Sequence, residues 1–283
     1  MEKKDEKDLT GGEANTPQEN GAEGTRETVK AIMTSEQIFV AYSRATKVPY
    51  VTCDPETFND QAWLFSSEEE IKAFGQKKAQ EKVLIMGMGY KKKDYRILFE
   101  TLYAIGVNTV VWNAGEERTE IELSSIIRID VSKLEESKRP LFNPSLQLSS
   151  IYYVQEFNLP EEVKDKEKLR EHYDEVLANL ERSQFMVPLI RSEEDEKKVQ
   201  IPYLKNKEGE ILQPIFTDVT EFFKFSKGKK MHYRKVPFQK LPGMLMKQSK
   251  CFVLNPFGVH LMFGKDQINR ILGVQDPGAQ PGS

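Results

Sequence analysis

The sequence predicts an α+β protein made of two similar domains in tandem, each a mixed sheet of about five strands packed with helices. Two observations carry that expectation. First, a strand end running into a capped helix occurs twice, as Phe65-Ser66-Ser67-Glu68-Glu69-Glu70-Ile71-Lys72-Ala73-Phe74 and as Phe216-Thr217-Asp218-Val219-Thr220-Glu221-Phe222-Phe223-Lys224-Phe225. Second, the flanking blocks match in the same order. Gln37 to Arg44 pairs with Gln184 to Arg191, Val48-Pro49-Tyr50-Val51 with Ile201-Pro202-Tyr203-Leu204, and Val110 to Gly115 with Val253 to Gly258. A capping box alone is common, but a series of matching blocks in one order is not. With 283 residues the chain is long enough for two domains of ordinary size.

Residues 1–27 are charged and poor in anything to bury, so a disordered tail is expected, as it is at 275–283. The first domain, 28–130, opens on a short helix near Glu27. Ile38 to Arg44, Lys47 to Cys53 and Gln61 to Phe65 read as strands. Ser67 then caps a helix, with Glu70 reaching back to the cap N–H. The apolar run Lys82 to Gly87 reads as a strand buried on both faces. A helix follows over Lys92 to Ala104, ended by Gly106, then a strand at Thr109 to Asn113 and a short closing helix at Glu122 to Ile127. In the connecting segment, 131–160, Ile151-Tyr152-Tyr153-Val154 reads as extended. The second domain, 161–274, repeats the plan. A helix over Glu161 to Ser183 carries an apolar stripe through Leu169, Tyr173, Val176 and Leu180. A hairpin turns at Asn206-Lys207-Glu208-Gly209, and Asp218 caps the next helix. Strands at Met231 to Val236 and Cys251 to Leu254, a short helix after Pro242 and a helix at Asp266 to Leu272 complete it.

Composition narrows the function classes. The chain is 39% hydrophobic and 30% charged with a net charge of −3, so nothing overall draws it to DNA. Cys53 and Cys251 lie far apart and form no CxxC, which fits a reducing compartment. No apolar run approaches the length of a membrane span, and no apolar h-region follows Met1. These features predict a cytoplasmic protein that does not enter membranes.

The order of an early apolar strand, a hairpin, Phe216-Thr217-Asp218 leading into a helix, Asn255-Pro256-x-Gly258 and a terminal Ile268-Asn269-Arg270-Ile271-Leu272 resembles the N-terminal domain of the SseB (enhanced serine sensitivity) family. The resemblance is best over about 163–274. A diverged copy occupies about 28–130, where Asn113-Ala114-Gly115 replaces the Asn-Pro-x-Gly turn. It implies a bacterial cytoplasmic protein without established catalytic residues.

No catalytic residues and no metal ligands are assigned, and no cofactor is expected. His172, His232 and His260 show no metal-ligand spacing, and no G-x-S-x-G elbow is present. Gly87, Gly89 and Lys92 form a candidate phosphate site, a glycine-bearing turn between strand and helix; the plainer alternative is a turn with a solvated basic cap. No acidic residue occurs between Glu221 and Asp266, while Lys227, Lys229, Lys230, Arg234 and Lys235 lie there among aromatic residues. Many of the compensating acids fall on the 161–183 helix and on Ser192 to Glu196. That segregation predicts a surface for an acidic macromolecule, set against the plainer alternative of a solvated sheet face over aromatic core residues. The expected function is therefore non-enzymatic: an adaptor or regulator that binds another protein. The alternatives are a nucleic-acid binder through residues 224–250, or an unrecognised enzyme or phosphorylated-ligand binder at 87–93.

Overall fold

A computed structural model of the chain describes residues 17–191, 199–229 and 231–273. The expected tail at 275–283, residues 1–16 of the other tail, residues 192–198 with their acidic run Glu193 to Glu196, and Lys230 lie outside the described residues. The protein is α+β, with helices packed on mixed sheets.

The first half begins with α1 (Pro17–Thr34), which replaces part of the disordered tail expected through residue 27. Then come β1 (Gln37–Ser43), β2 (Val51–Cys53), β3 (Asp60–Phe65), α2 (Glu68–Gln80), β4 (Ile85–Lys91), α3 (Tyr95–Ala104), β5 (Thr109–Ala114) and β6 (Glu117–Glu122). The strands form one sheet in the order β4-β1-β3-β5-β6, with β2 on β3. β3 and β5 are parallel and the remaining pairs antiparallel. One face buries Ile38, Val40, Leu64 and Val110 against α1 and α3. The other buries Ala41 and Phe65 against Ile71 of α2. Ser67 caps α2 with both bonds of the expected box in place.

Three local expectations are corrected here. The strand expected at Lys82 to Gly87 runs instead from Ile85 to Lys91 and forms the sheet's edge, mostly exposed. The turn expected at Gly87 to Lys93 is therefore ladder, because each residue from Ile85 to Lys91 has a register partner in β1. Glu117–Glu122, which carried no assignment, is a strand, and the closing helix shrinks to a 3-10 turn at Leu123–Ser125.

The connecting segment holds α4 (Pro144–Phe157), so Ile151 to Val154 is helical rather than extended. Proline at the first turn supplies a favourable φ. Burial outweighs the strand preference of its branched and aromatic residues. Leu146 enters the second half's core, and Ile151 and Val154 enter the first's.

The second half contains α5 (Lys166–Arg182), β7 (Gln184–Arg191), β8 (Val199–Gln200), β9 (Leu204–Lys205), β10 (Ile211–Ile215), α6 (Val219–Ser226), β11 (His232–Pro237), β12 (Ser249–Leu254), β13 (Leu261–Phe263) and α7 (Lys265–Ile271). Its strands fall into two pieces, β11-β7-β8 and β13-β12-β10-β9. Among the described residues a single bridge, Met186 with Phe216, joins them, with N–H to O distances of 2.9 and 3.0 Å. The break has a local cause. Continuing that register brings Pro188 opposite Pro214, and neither has an N–H to donate. Across the bridge the order β11-β7-β10-β12-β13 has the same pairings as β4-β1-β3-β5-β6, with β10 and β12 again parallel.

Candidate interaction surface

The basic residues singled out in the sequence flank α6. Asp218 caps this helix, its Oδ1 accepting the Glu221 N–H at 3.1 Å. Phe222 points inward, with its ring edge-on to Phe216 at 5.7 Å. Phe223, the next residue, is 65% exposed. Lys227 ends the helix in the left-handed conformation at φ 43°, and its ammonium lies 5.4 Å from the Phe257 ring. Lys229 is exposed in the turn to β11. On β11, Tyr233 leans on Phe222 at 5.4 Å between ring centroids and stays partly exposed.

Arg234 and Lys235 are neighbours on a strand, so they point to opposite faces. Lys235 is half-buried, and its Nζ donates to the Arg139 carbonyl at 2.6 Å. Lys224 is taken up by Glu221. The basic residues thus form no single stripe. Lys227 and Lys229 share a patch with the exposed rings of Phe223, Tyr233 and Phe257, while Arg234 faces away and Lys235 is tethered.

Beneath this patch lies a buried polar network at the C-terminal ends of β10 and β12. The Thr217 N–H donates to Asn255 Oδ1 at 3.1 Å. Asn255 Nδ2 donates to Gln147 Oε1 at 3.1 Å and to Thr217 Oγ1 at 2.9 Å. Gln147 Nε2 and the Thr217 hydroxyl both donate to Asp218 Oδ2, at 2.8 and 2.6 Å. All four residues are buried. The Asn-Pro-x-Gly turn acquires a physical reason here. Asn255 adopts φ 46°, a conformation asparagine tolerates, and ties the end of β12 to the start of α6. Gly258 leaves room for a carboxylate, since a Cβ there would sit 2.9 Å from Glu221 Oε2.

Glu221 does not complete a capping box as Glu70 does. Its Oε1 accepts from Lys224, and its buried Oε2 has no hydrogen-bond partner. Burial raises its pKa above the ordinary carboxylate value, against the pull of Lys224. In the first half the same turn is open. Asn113 Nδ2 donates to the carbonyls of Leu64 and Val111, and Glu70 accepts from Ser66, Ser67 and Gly115.

Of the candidate phosphate site, Gly87 and Gly89 lie within the edge strand β4, and Lys92 opens the 3-10 turn that follows it. The histidines stay apart. His172 stacks on Tyr152 at 5.5 Å, with its pKa lowered mainly by burial; His232 is exposed on β11; His260 Nδ1 lies 3.1 Å from the Pro256 carbonyl. Among the described residues no group of three or more His, Cys, Asp or Glu is placed to hold a metal. Both thiols have raised pKa values, chiefly from burial, which disfavours the nucleophilic thiolate.

Two features had no sequence signal because they join residues far apart in the chain. Tyr152 donates to Asp60 at 2.6 Å, beside His172, and burial raises the Asp60 pKa. A cavity of about 480 Å³ opens beside α3 and β5, lined by Tyr103, Val107, Asn108, Leu123 and Arg128.

Residues 162–270 match the SseB protein N-terminal domain. The match runs from just before α5 to α7, so the matched region includes α6, the Asn255 turn and the aromatic patch. The first half lies outside it. No curated protein matches the chain. Among solved structures, Tic22 from Plasmodium falciparum aligns at 13% identity with a TM-score of 0.22, covering 87% of this chain and 95% of its own. Anabaena Tic22 (protein transport) aligns at 11% identity and 0.20, covering 89% and 98%. At those scores neither likeness bears on fold or function. No helix among the described residues is long and apolar enough to cross a membrane.

Proposed function

We propose that this is a non-enzymatic adaptor or regulator of the bacterial cytoplasm, built from two copies of one domain, that binds an acidic segment of another protein through the α6–β11 patch. The observation that carries it is the patch itself. Phe223, at 65% exposure, and Tyr233, at 39%, stand beside Lys227 and Lys229, which form no ion pair among the described residues. Exposed aromatic rings with cations at the rim suit protein recognition. The separation of Arg234 from Lys235 favours a protein over a nucleic acid, whose phosphates call for a continuous track. The equal pairing order of the two halves supports the two-copy reading.

Pull-downs from a bacterial lysate at low and moderate salt test it, with the native chain compared with a variant carrying Phe223→Ser, Lys227→Ser and Lys229→Ser. A protein retained by the native chain, insensitive to nuclease and lost by the variant, is the expected result. Equal recovery by both removes the patch from the proposal.

A further inference from the structure

The edge strand β4 offers a second surface, independent of the α6 patch. Arg44 N–H donates to the Leu84 carbonyl at 3.0 Å, and Lys92 N–H to the Glu36 carbonyl at 3.1 Å. In an antiparallel ladder both polar groups of alternate residues point to the same neighbour. The even-numbered residues of β4 therefore bond to β1, and the N–H and C=O groups of Ile85, Gly87, Gly89 and Lys91 point away from it. Among the described residues no strand pairs with that side.

Exposed edges are normally blunted by charge, proline, shortness or cover. The other ends of the sheets follow that rule. β6 carries Glu117, Arg118, Glu120 and Glu122; β11 carries Arg234, Lys235 and Pro237, with Lys235 bonded to Arg139; β13 has three residues. β4 has no charge or proline from Ile85 to Tyr90, and its register with β1 is unbroken. Leu84, Met86 and Met88, alternating along one face, are 54%, 37% and 43% exposed. On the other face Gly87 accommodates Ile71 of α2, where a Cβ would approach to 3.3 Å. The strand leads into Lys91, Lys92 and Lys93, all exposed and without an ion pair among the described residues.

We propose that β4 accepts an extended segment of another protein as an added antiparallel strand, with apolar residues in alternation and acidic residues at its N-terminal end. The apolar side chains would cover Leu84, Met86 and Met88, and the acids would meet Lys91 to Lys93. A second copy of this chain fits less well. Antiparallel pairing of two β4 strands places Lys91 to Lys93 of one near Lys82 and Arg44 of the other, like charge against like.

Amide exchange on the isotope-labelled full chain tests this directly, using the synthetic peptide Asp-Asp-Glu-Val-Thr-Val-Thr-Val-Thr as probe. With saturating peptide, the amides of Ile85, Gly87, Gly89 and Lys91 should exchange at least tenfold more slowly. The amides of Met86 and Met88, already bonded to β1, should change little and serve as the check that the sheet is intact. N-methylation of alternate peptide residues, in the set that faces β4, should abolish the protection. The double variant Lys92→Glu, Lys93→Glu should loosen binding about tenfold, with recovery for a peptide that begins with lysines. No protection at the four amides in a folded chain overturns the proposal, as does protection that persists whichever of the two alternate sets is N-methylated. Protection without peptide that grows with protein concentration assigns the edge to a second copy and overturns the proposed occupant.

Discussion

Replacing Asn255 with alanine should be among the most costly single truncations of a polar side chain in the second half. The side chain accepts one bond, from the Thr217 N–H, and donates two, to Gln147 and Thr217, in a site with no solvent exposure. Alanine leaves the Thr217 N–H and Gln147 Oε1 buried without partners; each such group costs about 1–3 kcal/mol. The left-handed φ of 46° adds about 1 kcal/mol for an alanine. The sum, about 3–7 kcal/mol, is a large share of the roughly 5–15 kcal/mol that holds a typical protein folded. Asn113→Ala is the internal control. That side chain occupies the matching turn but is half-buried and donates only to two backbone carbonyls, so about 1 kcal/mol is expected. Urea unfolding followed by circular dichroism reads both variants. Fluorescence from Trp63 and Trp112, both in the first half, reports that half separately. If Asn255→Ala costs no more than Asn113→Ala, the buried network does not hold the second half together as described.

The Glu221 carboxyl has a folded-state pKa raised by burial above the ordinary glutamate value, so it contributes stability at low pH that is lost as pH rises through the folded value. Glu221→Gln should therefore match the native chain near pH ~4 and gain on it toward pH ~7 in thermal melts; a constant difference across that range refutes the burial argument. Gly258→Ala should cost about 1–3 kcal/mol through contact with the Glu221 carboxylate, and markedly less when combined with Glu221→Ala. A double-mutant cycle in urea measures the difference, and additive effects refute the contact. Ser67→Ala removes the side-chain bond to the Glu70 N–H and should cost about 1 kcal/mol, read by tryptophan fluorescence in urea.

Much of the architecture was legible in the chain because it is written locally. The capped starts of α2 and α6, the apolar stripe of α5 and the hairpin turn at Asn206 to Gly209 depend on residues within a few positions of one another. The misread elements share the opposite property. Ile151 to Val154 has strand-like residues, but α4 is wedged between two cores, and burial there decides its conformation. Gly87 and Gly89 look like a turn in sequence. They belong to a strand because β1 pairs with them and because Ile71, sixteen positions earlier, packs where the Gly87 side chain would be. The candidate surface was legible as a run of basic residues without acids, but the run did not show that Arg234 and Lys235 diverge.

By itself the sequence determined the α+β class, the helix starts and the repeated order of blocks, since caps, turns and periodicity act over one or two turns of chain. Only the tertiary structure decided which strand is left at an open edge, which carboxylate is buried without a partner, and how Asn255 joins Gln147 across 108 positions. Those are properties of contact and solvent exclusion, and they exist only after distant segments have met.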